Sequence, residues 1–211
     1  VDLPALPTGR HLDIFVDISK GHGGRLWPSS AILCRWLRAR GDVAGSRVLE
    51  LGTGTGAVGL YAAGCGASHI TLTDGLQEVL DLAEQNHACA RAAGIVPADA
   101  AVECLLYKWG DPVPVGNYDW VLGSDLTYSI TLHAALMDTI ASLLKADGPR
   151  VILAHADRLS FQLENLAQEA RARELHLETV YVEAGPQRQA IYLLEVSRQS
   201  KTLQFRKTPS S

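Results

Sequence analysis

Glycine alternates with threonine directly after a short apolar run in the segment Val48-Leu-Glu-Leu-Gly-Thr-Gly-Thr-Gly56. The carboxylate Glu50 precedes the first glycine, and a second carboxylate, Asp74, ends the next apolar run. Glycine lets bare backbone approach a ligand closely, and a carboxylate after the second strand can accept both hydroxyl groups of a ribose. These residues predict a site for a nucleoside-like molecule.

The glycine loop can be aligned with two cofactor patterns. Its second half, Gly54 to Gly59, satisfies the dinucleotide fingerprint G-x-G-x-x-G, which favours a pyrophosphate at a helix N-terminus. Its first half, with Glu50, suits the cationic sulfonium and the amino-acid end of S-adenosylmethionine (SAM). Asp74 suits the ribose of either cofactor, and a turn that serves only strand-to-helix packing is a third alternative. The loop alone leaves the cofactor open.

A second pair of candidate residues follows the apolar run from Tyr118 to Gly123. Asp125 and Tyr128 lie three residues apart where this strand ends, at the sheet edge where open α/β folds bind ligands. A helix N-cap is the alternative role for Asp125, and a core aromatic is the alternative for Tyr128. Their spacing favours a shared role in a site.

Strands and helices alternate from residue 47 onward, which predicts a parallel sheet with right-handed crossovers. The predicted strands are Val48 to Leu51, Ser68 to Thr73, Val102 to Leu106, Tyr118 to Ser124, Val151 to His155, Leu175 to Glu183 and Gln189 to Val196. The predicted helices are Ala31 to Arg40, Ala57 to Ala63, Leu76 to Ala92, Leu132 to Leu144 and Leu159 to Arg173. Only a short connection joins the last two strands, so they predict a hairpin with an antiparallel final strand.

The chain divides into three predicted parts. Residues 1–25 are an arm rich in glycine and proline, with an edge strand expected over Leu12 to Ile18. Residues 26–197 are one catalytic domain. Residues 198–211 are a polar tail that we expect to be flexible because it has little to bury.

The terminal hairpin favours SAM, because dinucleotide folds usually continue with a parallel sixth strand. Together with the hairpin, several motifs in order resemble methyltransferase family 16, seven-strand enzymes that include many protein lysine methyltransferases. The motifs are Gly24-Arg-Leu-Trp-Pro-Ser-Ser30 before a helix, the loop from Glu50 to Gly56, Asp74, Asn86, Trp109-Gly110, and the D-x-x-Y of Asp125 and Tyr128. The resemblance implies an α/β, Rossmann-like seven-stranded sheet with an antiparallel terminal hairpin and helices on both faces. It also implies that Trp27 and Trp109 flank the cofactor.

Composition limits the partners. The net charge of −4 gives no basic face for nucleic acid, and no segment reaches the about 18 apolar residues that a membrane helix needs. The four cysteines lack the spacing of zinc sites or disulfide frameworks, and the seven histidines are scattered, so we expect free thiols and no metal. We expect a cytoplasmic protein, with the nucleus as the alternative compartment, that works as a monomer.

The sequence therefore predicts an enzyme that transfers a methyl group from SAM to a side-chain nitrogen of a protein, with S-adenosylhomocysteine (SAH) as product. The resemblance, not the residues, indicates both a protein acceptor and lysine; the residues themselves indicate only the cofactor and methyl transfer. A small-molecule methyltransferase, a protein histidine or arginine methyltransferase, a non-catalytic SAM-binding scaffold and a nicotinamide oxidoreductase are the alternatives. The expected catalytic residues are Asp125 and Tyr128. The expected cofactor-binding residues are Trp27, Glu50, Gly52, Thr53, Gly54, Gly56, Asp74, Trp109 and Ser124.

Overall fold

A computed structural model of the chain describes residues 1–114, 116–144, 148–185 and 189–198. The described residues form a seven-stranded sheet with the order β3-β2-β1-β4-β5-β7-β6. The strands are β1 (Arg47–Leu51), β2 (His69–Asp74), β3 (Ala101–Leu106), β4 (Trp120–Ser124), β5 (Arg150–Ala156), β6 (Leu175–Ala184) and β7 (Ala190–Arg198). The helices are α1 (Pro28–Arg40), α2 (Ala57–Gly64), α3 (Gln77–Ala92), α4 (His133–Leu143) and α5 (Ser160–Arg171).

Strands β1 to β5 are parallel, whereas β7 runs antiparallel to both β5 and β6. Successive side chains of a strand point to opposite faces of the sheet, and each face has its own core. Val48 packs with α1 to α3 on one face, and Leu49 packs with α4 and α5 on the other. The α/β class, the helices on both faces and the antiparallel hairpin are confirmed.

The strand order reverses direction around β1, which lies between β2 and β4. The chain leaves β1 toward β2 on one side, and β4 and β5 are added on the other side. Connections after β1 and β4 therefore diverge and open a crevice at the carboxyl ends of these strands. This crevice is where the glycine loop and the D-x-x-Y motif meet.

The arm is part of the folded domain, so the predicted boundary at residues 25/26 does not separate two physical units. Leu3, Leu6 and Leu12 are buried in the same core as α1 and α2. The edge strand predicted over Leu12 to Ile18 was wrong, because backbone groups of Phe15 bond to the side chain of Asn86 instead of to a strand. A short 3-10 turn, Ile18–Lys20, follows.

At the other end of the chain, β7 extends to Arg198, the first residue of the predicted tail. The rest of that tail lies outside the described residues. Within the parts of the chain that the structure describes, no helix combines the length and apolar composition needed to cross a membrane.

Candidate functional site

A pocket of about 680 Å³ lies at the crevice between β1, β2 and β4. This volume is in the range that binds small molecules and cofactors. All the predicted site residues except Gly56 line it, including both Asp125 and Tyr128. The fold thus brings together motifs that are separated by up to about a hundred positions in the sequence.

The glycine loop after β1 can be built only with glycine at two of its positions. Gly52 has a φ of 56°, and a Cβ atom there would lie 2.5 Å from Cδ2 of Leu126. Gly54 has a φ of 55°, and its Cβ would lie 3.0 Å from the carbonyl oxygen of Gly23. Because side chains rarely tolerate this left-handed backbone, the sequence pattern here reports a conformational requirement.

Gly56 is not among the residues that line the pocket, and its contact with the cofactor stays a prediction. It has a φ of 79° and forms the N-cap of α2, with Ala83, Leu60 and Leu72 around the position of a Cβ. Its role is to turn the chain from the loop into the helix.

Glu50 is only 2% exposed, and its carboxylate bonds to the glycine loop and to the helix that follows the loop. Its Oε2 accepts hydrogen bonds from Oγ1 of Thr53 at 2.6 Å and from the amide of Gly59 at 2.9 Å. Burial raises the pKa of Glu50 to about 7, against the opposing effect of these hydrogen bonds. The carboxylate is therefore a pocket wall that also fixes the loop conformation.

Asp74 ends β2 and reaches the same loop. Its Oδ2 accepts from the amide of Gly54 at 3.1 Å, and its Oδ1 accepts from the amide of Leu76 at 3.2 Å. Burial raises the pKa of Asp74 above its ordinary value. Each oxygen of a carboxylate has two lone pairs, so both retain acceptor capacity for ribose hydroxyl groups.

The segment before α1 forms another wall. Trp27 precedes Pro28, the first residue of the helix, and its Nε1 donates to the carbonyl oxygen of His22 at 3.0 Å. In the first turn of α1, the hydroxyl of Ser30 lies 2.9 Å from that of Ser124 at the end of β4. Trp109 also lines the pocket, beside the glycine loop, and its Cζ2 would be 3.2 Å from a Cβ at position 52.

The D-x-x-Y motif forms a tight turn after β4. Asp125 has left-handed backbone (φ 60°), and its amide donates to the carbonyl oxygen of Ala154 at 2.9 Å. His133 Nε2 lies 3.0 Å from the carbonyl oxygen of Thr127, and Gln162 Nε2 donates to that of Tyr128 at 2.7 Å. Neighbouring elements therefore fix the backbone of the turn, and Asp125 makes no side-chain N-cap.

The carboxylate of Asp125 is bound by an arginine that sequence reasoning missed. Arg158, after β5, donates from Nη1 to Oδ1 at 2.6 Å and from Nη2 to Oδ2 at 2.5 Å. The same guanidinium lies over the ring of Trp27, 5.1 Å from its centroid. The hydrogen bonds to Asp125 raise the pKa of Arg158 further above its ordinary value. No local motif marks Arg158, because its partners lie 33 and 131 positions away.

The arm adds a second missed residue, His22. Its ring stacks on Tyr128 at a centroid distance of 5.0 Å and on Trp27 at 6.0 Å. Tyr128 is 42% exposed, so this group of three rings borders the pocket at the protein surface. The glycines around His22 indicated a loop near the site but gave no signal for the stack.

Asn86, one of the residues that carry the family resemblance, does not line the pocket. It is fully buried, accepts from the amide of Phe15 at 2.8 Å, and donates to the carbonyl oxygens of Phe15 and Thr55 at 3.0 and 2.9 Å. It therefore ties the arm to the glycine loop.

The volume and the lining residues of the pocket fit SAM. Glycine loop backbone closes one side, Asp74 offers a carboxylate suited to ribose hydroxyls, and two tryptophans and Leu76 supply apolar surface. Among the described residues, no group of three or more His, Cys, Asp or Glu side chains could hold a metal ion.

Comparison with known proteins decides the family. The sequence profile of the family described as "Lysine methyltransferase" matches residues 7–171. The chain belongs to this family. This lysine methyltransferase match confirms the resemblance to methyltransferase family 16 and begins within the arm, in agreement with the arm's place in the core.

Curated relatives carry related names. The methyltransferase is 31% identical to protein N-lysine methyltransferase METTL21A of Danio rerio, over 73% of this chain and 71% of the relative. It is 33% identical to EEF1A lysine methyltransferase 3 of Mus musculus, over 75% of this chain and 66% of the relative. A calmodulin-lysine N-methyltransferase of Arabidopsis thaliana is 27% identical, over 71% of this chain and 50% of the relative.

Solved structures agree on the fold. The magnesium protoporphyrin IX methyltransferase (ChlM) of Synechocystis PCC 6803 with bound SAM superposes with a TM-score of 0.62 at 20% identity, over 87% of this chain and 82% of that one. The predicted cofactor and enzyme class, a SAM-dependent methyltransferase, are confirmed together with the fold. The dinucleotide alternative for the glycine loop is set aside.

Proposed function

We propose that this methyltransferase modifies the side-chain nitrogen of a lysine in a protein, and that Asp125 and Tyr128 form the acceptor end of the pocket. The family and the names of its relatives support lysine. The observation that carries the assignment of residues is the pocket itself, which joins the glycine loop to the exposed ring of Tyr128.

The chemistry requires a neutral amine in line with a methyl group. When bound, SAM supplies that methyl on a sulfonium: the amine lone pair forms the N–C bond while the C–S bond breaks, and the sulfur keeps the electron pair as SAH. Deprotonating a lysine of ordinary pKa at pH 7 costs about 4.6 kcal/mol. The protein can lower this cost by partly drying the amine and by aligning it before transfer.

The residues at the acceptor end suit these tasks. The rings of Tyr128, His22 and Trp27 give the aliphatic stem of a lysine an apolar wall. Asp125 is 6% exposed, and two hydrogen bonds from Arg158 fix its carboxylate. The lone pairs of its oxygens that do not accept from Arg158 can orient an amine. The released proton passes to water at the exposed side of Tyr128.

A protein acceptor is supported by the surface around this end. Large apolar side chains are exposed there on the turn after β4 and at the start of α5: Tyr128, Ile130, Leu132, Leu159 and Phe161. Gln162 joins the two segments by its hydrogen bond to Tyr128. Exposed apolar side chains grouped on neighbouring segments are typical of protein contact sites. The relatives are named for different acceptors, EEF1A and calmodulin, so the family leaves the acceptor open.

The test is methyl transfer from tritiated SAM into a cell lysate by the purified protein, with purified EEF1A and calmodulin as defined acceptors. We expect label in the protein fraction that hydrolyses to methyllysine. Label confined to small molecules, or recovered as methylhistidine or methylarginine, would assign the enzyme to one of the alternative classes. No transfer despite SAM binding would support a scaffold.

We further propose that the enzyme acts in the cytoplasm, with the nucleus as the alternative, and as a monomer without nucleic-acid or membrane partners. Four free cysteines, Cys34, Cys65, Cys89 and Cys104, support a reducing compartment. Cell fractionation tests the compartment, and light scattering during size-exclusion chromatography tests the monomer.

A further inference from the structure

At the acceptor end of the pocket, the lining residue Asp125 forms an ion pair with Arg158, and the geometry of this pair constrains how the enzyme can bind an amine. Both oxygens of Asp125 bind the two terminal nitrogens of Arg158, at 2.6 and 2.5 Å, in the parallel arrangement typical of strong carboxylate–guanidinium pairs. The side chain of Asp125 is 4% exposed and that of Arg158 is 31% exposed. The negative charge at the acceptor end is therefore already compensated within the protein.

An uncompensated carboxylate would work against the reaction. An opposite charge within about 4–6 Å favours the charged form of an ionisable group, so a free Asp125 would stabilise a bound ammonium. An ammonium has no lone pair and cannot accept a methyl group. A carboxylate that is neutralised by a fixed arginine still offers acceptor positions but exerts a much weaker net field on the amine.

We propose that Arg158 is a positioning residue of the acceptor site, which neutralises Asp125 so that the site binds the acceptor amine in its neutral, reactive form. This role rests on the proposed function of Asp125 at the methyl-acceptor end. Arg158 acts through Asp125, and its stacking on Trp27 fixes the guanidinium in the orientation that the pair needs. Lysine could supply the charge at this position but not the two parallel bonds.

Other charged and titratable groups face the same space and stay unchanged in the test. Those that line the pocket come from the arm, from β1 and β2, from the segment after β3 and from the turn after β4: Lys20, His22, Arg25, Glu50, Asp74, Tyr107, Lys108 and Tyr128. Behind the ion pair, His155 interacts electrostatically with Asp125 and Arg158, and Asp157 and His133 act on His155 in turn. A variant that changes only Arg158 therefore isolates the compensation of Asp125.

The first experiment measures binding of n-butylamine, as a probe of the lysine side chain, to the SAH complex by calorimetry at pH 7. In Arg158→Gln, the uncompensated carboxylate should bind the butylammonium ion about tenfold more tightly than the native enzyme does, which corresponds to one pKa unit. The matched control is Arg173→Gln, which removes the same charge from an ion pair with Asp138 and Glu169 away from the pocket. Equal or weaker binding by folded Arg158→Gln, or no binding by either protein, would overturn the proposal.

The second experiment follows methyl transfer to the acceptor band labelled in the lysate, as a function of pH. Arg158→Gln should move the acidic limb of kcat, which reports ionisations in the enzyme–substrate complex, upward by about one unit, so that kcat at pH 7 falls about tenfold while KM does not rise. Arg158→Lys should keep the native position of the limb, and the double variant Asp125→Asn/Arg158→Gln should restore it. A merely structural Arg158 would lower activity equally at all pH values, and that result would overturn the proposal. If the native enzyme labels no acceptor, the proposed function fails, and the butylamine measurement still decides the role of Arg158.

Discussion

Each end of the pocket contains a buried carboxylate, and the two are accommodated in different ways. At the cofactor end, Glu50 accepts hydrogen bonds from a threonine hydroxyl and a backbone amide, and burial raises its pKa to about 7. At the acceptor end, Asp125 is paired with a guanidinium. The first charge can be removed by a proton near neutral pH, whereas the second is compensated by a fixed cation.

The difference follows from how each end is built. The cofactor end is built around the glycine loop, which is contiguous in sequence and depends on its backbone conformation, with Asp74 and Trp109 beside it. The acceptor end is assembled from side chains on the arm, on the turn after β4 and after β5. Changes to backbone conformation should therefore affect the first end most, and changes to rings and charges should affect the second.

The largest effect on binding is expected for Gly52→Ala. A side chain here requires strained left-handed backbone and would push a Cβ to within 2.5 Å of Leu126, so we expect SAM affinity by calorimetry to fall about 100-fold. Gly41→Ala is the matched control, because Gly41 has a similar φ of 69° but open space around its Cβ position. It should lose about 1 kcal/mol of unfolding free energy and keep its SAM affinity. Equal SAM affinities in the two variants would contradict the steric argument.

Glu50→Gln should change how stability depends on pH. Because the pKa of Glu50 is raised from 4.5 to about 7, its contribution is fully present below pH 4.5 and is lost as pH rises through about 7. The loss amounts to about 3 kcal/mol, and glutamine should abolish it while keeping an acceptor for Thr53. Urea unfolding at pH 4.5 and pH 8 measures this. Glu103→Gln, an exposed acceptor for the Thr71 hydroxyl, is the control. If the free energy of unfolding changed by the same amount between pH 4.5 and pH 8 in the native protein and in Glu50→Gln, Glu50 would not be the group that titrates.

Asn86→Ala tests the connection between the arm and the glycine loop. Three hydrogen bonds to backbone groups are lost at a fully buried position, so we expect a cost of about 2–3 kcal/mol, concentrated in the arm. Relative to the native protein, hydrogen exchange in Asn86→Ala should accelerate more at the Phe15 amide than at amides of the central strands. Unchanged protection of that amide would mean that other contacts hold the arm.

Tyr128→Ala should produce the smallest effect and confine it to the acceptor. Loss of the stack with His22 should lower kcat/KM for the protein acceptor about tenfold and leave SAM affinity unchanged, whereas Tyr128→Phe should retain most activity. Calorimetry measures the SAM affinity, and transfer of tritium from labelled SAM measures kcat/KM, both on the same preparations of each variant. A loss of SAM affinity in Tyr128→Ala would mean that the two ends are not separable.

The fold and the cofactor end could be predicted because their signals are local. Apolar periodicity marks the strands of the sheet and the helices, and glycines 52 and 54 report the backbone conformation that they alone adopt easily. Gly56 was assigned to the cofactor on the same pattern, although its glycine is needed for the turn into α2. A glycine pattern therefore identifies the loop but does not separate contact residues from turn residues.

The acceptor end could be predicted only in part because its partners are distant in sequence. Asp125 and Tyr128 were found from a short motif, but what each side chain touches depends on Arg158 and His22, which carry no motif of their own. The edge strand expected in the arm failed for a related reason. An isolated apolar run does not reveal that a buried asparagine, 71 positions later, takes the backbone hydrogen bonds of Phe15.

The attachment of the arm also sets an order of events during synthesis. Phe15 and Arg10 leave the ribosome early, but Asn86 and Gly94, which bind them, are made 71 and 84 residues later. Arg158 is made later still, after β5. The glycine loop and its two carboxylates are thus synthesised before Tyr128, on which His22 stacks, and before the arginine that binds Asp125, so the acceptor end is the last part of the site whose residues leave the ribosome.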